Sequence, residues 1–258
     1  MIAFATLFSS SRGNSVFVTD NSNSILVDAG MPMYRIKEQL EALGYDAGSP
    51  DAIFITHEHS DHVKSAGSLS RKYNIPVYTT KQTALAAENC LGRMDQRLKS
   101  YDYGMTIGDF RFDFFKIYHD AVQPVGLVVE NKGVRLGICT DTGIFTPGMA
   151  KILKNCDAYV FESNHDLDML WKGSYDYALK QRIAGKCGHL SNDAAAEALA
   201  SVIGPATKEI VLAHLSEENN TPELAYNTSC EMLRRQGRED IHLQVAPADR
   251  AIDLITLD

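Results

Sequence analysis

The chain has 258 residues, with 25 Lys and Arg against 33 Asp and Glu, a formal net charge of -8. With 45% hydrophobic and 22% charged residues it has the composition of a folded globular protein, which excludes intrinsic disorder, and it can bury one large core or two small ones. No stretch approaches the ~20 apolar residues of a membrane-spanning helix. The opening run Met1 to Phe8 has no basic leader and meets Ser9, Ser10, Ser11 and Arg12 at once, so we expect an untargeted cytoplasmic protein without a membrane role. Five scattered cysteines without CxxC spacing are an odd count and resemble no disulfide framework, which predicts reduced thiols.

In chain order, Ala3 to Phe8, Ser15 to Thr19 and Ser24 to Val27 read as an antiparallel meander, joined by the turn-rich segments Ser9 to Asn14 and Asp20 to Asn23. A helix is predicted over Met33 to Leu43, stopped by Gly44. The short apolar strand Ala52 to Ile55 then runs directly into Thr56-His57-Glu58-His59-Ser60-Asp61-His62. Phe110, Phe112 and Phe114 alternate with Arg111 and Asp113, the period of a half-buried strand, and this strand delivers His119-Asp120. Val125 to Glu130 and Val134 to Cys139 form a predicted hairpin around Asn131-Lys132-Gly133, and its second strand empties into Thr140-Asp141-Thr142-Gly143. Asp157 to Phe161 is another strand, leading to Glu162-Ser163-Asn164-His165. A helix after Asn192 carries Ala195, Ala198, Leu199, Val202 and Ile203 on one face; a strand Glu209 to Leu212 leads to His214. A last helix starts with Thr221 as N-cap and Pro222 at its first position and ends near Gly237. The alternation of short strands and amphipathic helices, without repeats or long linkers, predicts a single α/β domain over residues 1–258. Polar, metal-competent residues recur in the turn just after an apolar strand, and such turns can gather at one edge of a sheet.

His57-x-His59-x-Asp61-His62 packs four ligand-type side chains into six residues. Alternate positions of an extended turn point the same way, so His57 and His59 can bind one ion while Asp61 and His62 bind another nearby. His119, Asp141 and His214, each following an apolar strand, are the further candidates. Taken singly each is weak, since a histidine at a strand end is commonly an ordinary surface or core residue. Together the seven divide most economically into His57, His59 and His119 on one ion and Asp61, His62 and His214 on the other, with Asp141 shared. Imidazole and carboxylate donors suit two divalent ions, Zn or Mn, with Fe also compatible.

His57-Glu58-His59-Ser60-Asp61-His62, preceded by Asp28-Ala29-Gly30 and followed by His119, Asp141 and His214 in that order, resembles the metallo-β-lactamase-fold hydrolases over essentially the whole chain. Ser9 to Ser15, Thr140 to Gly143, Glu162 to Asp166, Gly188 to Asn192 and Leu215 to Asn220 resemble, more narrowly, the WalJ/YycJ subgroup. The resemblance implies a four-layer αββα sandwich with a dinuclear site at the edge between two sheets, and Asp28 lying beneath the histidine motif and orienting it. It also implies that His189 lies over a scissile phosphate, supported by Glu162, a pair that a lactamase or glyoxalase does not require. In the implied reaction a hydroxide bridging both metals attacks phosphorus in line, His189 acts as general acid, Glu162 holds its ring, and Asp61 belongs to the catalytic set as well as to the ligands. Ser9, Ser10, Ser11, Arg12 and Asn14 form a substrate-facing loop by the same resemblance. His165 has no role assigned by it, and His242 reads as structural.

The subgroup implies a phosphodiesterase acting as a 5′ to 3′ DNA exonuclease. Despite the acidic total, residues 62–102 hold seven Lys and Arg against three acids, and Trp171 to His189 carries Lys172, Lys180, Arg182 and Lys186 beside Trp171, Tyr175 and Tyr177. Basic residues near aromatics can track a nucleic-acid backbone and stack bases. The alternatives are a small-molecule cyclic phosphodiesterase, a thioester or lactone hydrolase using the same metals, and a non-catalytic module. The complete ligand set speaks against the last.

Overall fold

The computed structural model describes residues 1–101 and 104–258; Asp102, where the basic stretch ends, lies outside the described residues. The first sheet takes β1 (Ile2–Ser10), β2 (Gly13–Thr19), β3 (Ser24–Val27), β4 (Ala52–Phe54), β5 (Val77–Thr79) and β6 (Leu98–Ser100) side by side in chain order. The second takes β7 (Met105–Ile107), β8 (Phe110–Lys116), β9 (Val125–Asn131), β10 (Val134–Cys139), β11 (Ala158–Glu162), β12 (Glu209–Ala213) and β13 (His242–Val245) in the same manner. The chain then returns to pair β14 (Ile255–Leu257) antiparallel with β1. Both sheets are mixed: an antiparallel meander gives way to parallel strands at β3–β4 in the first and at β10–β11 in the second.

Period-two patterning explains the layers. In β3, Ile25 and Val27 enter one core and Leu26 another; in β11, Ala158 and Val160 oppose Tyr159 and Phe161 in the same way. Phe4, Val18, Phe54, Phe112, Leu127 and Val160 meet between the sheets. The outer face of the first sheet is covered by α1 (Met33–Ala42) and α3 (Ala66–Tyr73), through Ile36, Leu40 and Leu69. The outer face of the second is covered by α6 (Pro147–Leu153), α9 (Asn192–Val202) and α10 (Pro222–Arg235), through Leu153, Leu199 and Leu233. Three apolar interfaces thus separate four layers, helix, sheet, sheet and helix, as expected. Shorter helices complete the chain: α2 (Ser60–Val63), α4 (Lys81–Ala86), α5 (Glu88–Leu91), α7 (Leu167–Lys172) and α8 (Tyr177–Ile183). No helix among the described residues is long and apolar enough to cross a membrane.

The segment read as a loop over Ser9 to Asn14 is mostly strand. β1 and β2 stay paired out to Ser10 and Gly13, so only Ser11 and Arg12 turn, and a register shift between Thr6 and Phe8 puts Leu7 and Phe8 together on the outer-helix side. The predicted Thr221 cap holds, its hydroxyl accepting the Leu224 N–H with Pro222 beside it, and the structure adds Ser191, which caps α9 through the Ala194 N–H.

Candidate metal centre

β4 ends at Phe54 and the chain passes through Thr56 and His57 to α2, with His59 as its N-cap, so the motif leaves the sheet edge as a turn and one helical turn. The turn lies tight against the segment after β3. A Cβ on Gly30 would stand 1.6 Å from the Asp61 carbonyl oxygen, so only glycine fits there. Asp28, in a left-handed backbone conformation with φ 63°, is buried beneath the motif. Its carboxylate accepts the Thr56 N–H at 2.9 Å and the Thr56 hydroxyl at 2.8 Å, and lies 2.7 Å from His62 Nδ1. With Nδ1–H given to Asp28, His62 turns Nε2 outward as a ligand atom.

The seven predicted ligand residues converge. His57, His59 and His119 bring ligand atoms within 4.8 Å of one another, as do Asp61, His62 and His214. His59 Nδ1 and His119 Nε2 are 3.2 Å apart. Asp141 spans the two groups: Oδ2 lies 3.4 Å from His62 Nε2, and Oδ1 lies 3.3 Å from His214 Nε2 and 3.9 Å from His119 Nε2. Asp141 and His214 both take left-handed φ values, 59° and 56°, where the chain swings off the ends of β10 and β12. Three buried atoms facing this space have no hydrogen-bond partner, namely His57 Nε2, His214 Nε2 and Asp141 Oδ2. Buried polar atoms are ordinarily paired, and imidazole nitrogens and a carboxylate oxygen left open together are a donor set for cations, so these residues fit divalent metals.

The electrostatics agree. Burial pushes the His62 pKa down, but Asp141, Asp28 and Asp61 outweigh it and hold it well above the ordinary histidine range. Burial likewise opposes His214, which Asp141, Asp61 and Glu162 raise to about 10. Asp141, despite complete burial, is held well below the carboxylate range by His214, His62, His57 and His119. The buried carboxylates thus demand positive charge.

Glu162, at the end of β11, is completely buried. Its Oε2 accepts the N–H groups of Thr142 and Leu190 at 3.0 and 3.1 Å; its Oε1 lies 2.7 Å from His189 Nδ1 and 3.2 Å from His214 Nδ1. Burial pushes its pKa up, yet His189 and His214 bring it down to about 2. One carboxylate therefore orients both His189 and the candidate ligand His214, a link that sequence reading missed. His189 keeps Nε2 for a ligand, and its ring centroid lies 5.0 Å from that of His119 and 5.1 Å from that of His214. A cavity of about 250 Å³ opens here, lined by His189, His119, Ser11, Asn164, Arg182 and Ser216.

The five residues of the predicted substrate loop separate. Ser9 and Ser10 are buried, and the Ser9 hydroxyl accepts the His214 N–H at 2.7 Å, which corrects the expectation that they face a substrate. Asn14 is also buried, its amide 3.3 Å from Asp61 Oδ2 and 3.1 Å from His62 Nε2, against the ligand group rather than the outer surface. Ser11 and Arg12 are exposed, Ser11 on the cavity and Arg12 paired with Glu217. His165 is buried and follows Glu162 in sequence, burial lowering its pKa to about 4, and His242 on β13 pairs with Glu209 on β12. Sequence reading also missed Thr56, which joins Asp28 to the motif, and Asn220. The Asn220 amide donates to the Ser163 and Asn164 carbonyls and to the Asn192 side chain, tying the segments after β11 and β12 to the start of α9. The Asn219-Asn220 pair just before the Thr221 cap was the available signal.

Several of the basic residues are held internally: Arg71 by the Leu91 carbonyl, Arg97 by Asp95, Lys172 by Asp168, Lys180 by the Trp171 and Gly173 carbonyls, and Arg182 by Asp120. Trp171 and Tyr177 are exposed, their ring centroids 6.3 Å apart. All five cysteines are free.

Comparison with known proteins agrees with this geometry. Residues 11–214 match the model of the metallo-beta-lactamase superfamily. Exodeoxyribonuclease YycJ of Bacillus anthracis is 38% identical over 237 residues, covering 91% of this chain and 90% of that protein. Exodeoxyribonuclease WalJ of Streptococcus pneumoniae strain D39 is 40% identical over 235 residues, 89% of this chain and 87% of that protein. Among solved structures, the metallo-beta-lactamase fold protein YhfI of Bacillus subtilis superposes with a TM-score of 0.73 at 15% identity, covering 97% of this chain and 98% of that one, a likeness of fold alone.

Proposed function

The chain belongs to the metallo-beta-lactamase superfamily, and from that premise we propose that it is a metal-dependent phosphodiesterase that degrades DNA as a 5′ to 3′ exonuclease. The observation that carries the reading is the His189–Glu162 pair beside two clusters of metal-competent side chains. In this reading the whole chain, residues 1–258, acts as one hydrolase domain in the cytoplasm, with its thiols reduced.

His57, His59 and His119 would hold one divalent ion and Asp61, His62 and His214 a second, with Asp141 shared; Zn and Mn both suit these donors. When bound, such ions supply an activated water and neutralise charge on the phosphate oxygens. The protein's own groups do the rest. Asp28 keeps His62 in the tautomer that presents Nε2, and Glu162 does the same for His214. His189, its Nδ1 toward Glu162, is left with Nε2 to protonate the departing oxygen, and Glu162 fixes the direction of its ring. Ser11, on the cavity at His189, and the neighbouring exposed Arg12 are candidate phosphate contacts. The exposed Trp171 and Tyr177 offer flat surfaces for bases. Phosphorus chemistry is favoured over carbonyl chemistry because a thioester or lactone hydrolase has no need of a buried carboxylate holding a histidine over the site.

The test is incubation of metal-reconstituted protein with 3′-labelled, 5′-phosphorylated DNA, with Asp141→Ala as control for contaminating nucleases. Stepwise loss from the 5′ end by wild type alone is expected. Intact DNA beside rapid turnover of a chromogenic phosphodiester would overturn the exonuclease reading and leave a small-molecule phosphodiesterase.

A further inference from the structure

A second cavity, of about 430 Å³, adjoins the site and is not used by the mechanism above. It opens where strand ends of the two sheets meet: Thr80 follows β5, Phe114 and Lys116 lie on β8, and Tyr118 and His119 follow β8. His119 and Cys187 border both cavities, but only the smaller one contains His189. The two cavities therefore meet beside the ligand clusters and differ in chemistry.

The larger cavity is aromatic. Tyr101 and Phe114 stack with centroids 3.9 Å apart and planes 10° from parallel, and half-buried Tyr118 forms another part of the lining. Lys116 Nζ lies 5.2 Å from the Tyr118 ring centroid, a cation beside the aromatic lining. The Gln82 amide adds a hydrogen-bonding group. Flat aromatic surface with a neutral polar group and one cation is the chemistry that holds a nucleobase next to a phosphate, since every base has a π-face to stack. This lining is also coupled to the metal motif. Glu58, between His57 and His59, accepts the Val122 N–H at 2.7 Å, and the Thr83 hydroxyl donates to the Gln123 carbonyl at 3.4 Å. A base seated here is thus held in register with the motif.

We propose that this cavity binds the nucleobase on the 3′ side of the scissile phosphate, stacked on Tyr118. The inference rests on the exonuclease reading. In that reaction water adds as hydroxide to phosphorus, its proton passing to solvent, while the P–O3′ bond breaks and the departing O3′ takes the proton from His189. The released terminal nucleotide therefore lies in the cavity of His189. The next nucleotide, whose 5′-phosphate is attacked, falls to the aromatic cavity.

The experiment measures the rate of the first cleavage on 5′-phosphorylated single-stranded DNA carrying either a normal second nucleotide or an abasic one. Wild type should cut the abasic substrate about tenfold more slowly at subsaturating DNA, the lower part of the range for one stacked base. Tyr118→Ala should lose about the same factor on normal DNA and cut both substrates alike, whereas Tyr118→Phe, which keeps the ring, should keep the discrimination. Equal rates on the two substrates by wild type, a comparison that needs no variant, would overturn the base site while leaving the exonuclease reading standing. Full discrimination retained by Tyr118→Ala would do the same for Tyr118. If wild type leaves both DNAs intact but turns over a chromogenic phosphodiester, the exonuclease reading itself falls and takes the base site with it.

Discussion

At the residue scale, His189 and Glu162 are the pair by which the proposed reaction goes beyond holding a metal. Glu162 serves four donors at once, the Thr142 and Leu190 N–H groups and the His189 and His214 rings, so its removal disturbs a ligand as well as the general acid. His189 is the cleaner probe, because its Nδ1 contacts only Glu162 and it lies outside the seven-residue ligand set. We expect His189→Ala to retain its metal content by elemental analysis and to lose about 10²–10⁴ in kcat, the usual contribution of a positioned proton donor. Loss of metal in parallel with rate would show instead that His189 is a ligand. The convergence of the seven metal-competent residues was anticipated in the sequence because imidazoles and carboxylates were crowded in one motif or stood directly after apolar strands. The bond from Glu162 to His214 was not legible, since it spans 52 positions and arises only because β11 and β12 are parallel neighbours.

At the scale of elements, the turns after β3 and β4 form one unit. Asp28 receives Thr56, the Ala29 N–H donates to the His62 carbonyl at 2.7 Å, and Gly30 leaves room for Asp61. A methyl group on Gly30 meets backbone, which cannot rotate away as a side chain would. Gly30→Ala should therefore cost about 1–3 kcal/mol, as overpacking does, and displace Asp61 enough to weaken metal binding. Urea unfolding midpoints with metal titration check this; wild-type affinity in a destabilised variant would mean that the turn serves stability alone. Strands with clean alternation, such as Phe110 to Phe114, were legible to within a residue or two. The short helices α2, α4, α5, α7 and α8, of four to seven residues, were not, because they show too few turns for a 3.6-residue period and owe their stability to packing and caps. The hairpin tip was read too loosely for a related reason. Serines and asparagine signal a turn in isolation, but here Ser9, Ser10 and Asn14 are buried at the meeting of the sheets.

At the scale of the whole molecule, the centre gathers Asp28, Asp141, Glu162, His57, His62 and His214, all buried, from the edges of both sheets. Taking cations away leaves buried carboxylates and imidazoles facing one another, so metal binding should stabilise the entire fold. At a free metal concentration of 100 times Kd, each site adds about 2.7 kcal/mol, or about 5–10 °C in Tm for a chain of this size. Calorimetry before and after chelation, followed by restoration with Zn or Mn, tests this; a Tm indifferent to chelator would contradict the metal centre. The sequence alone determined an α/β domain, because alternation dictates which residues are buried, and a set of candidate donors, because few chemistries other than metal binding account for such a cluster of histidines and aspartates; the four-layer arrangement came through likeness to known hydrolases. That likeness also marked His189 and Glu162 as a pair. Only the tertiary structure decided that Glu162 reaches His214 as well as His189, that Ser9 supports His214, and that an aromatic cavity adjoins His119. These depend on the order of strands and the meeting of two sheets, on contacts between residues up to 205 positions apart that no local pattern encodes.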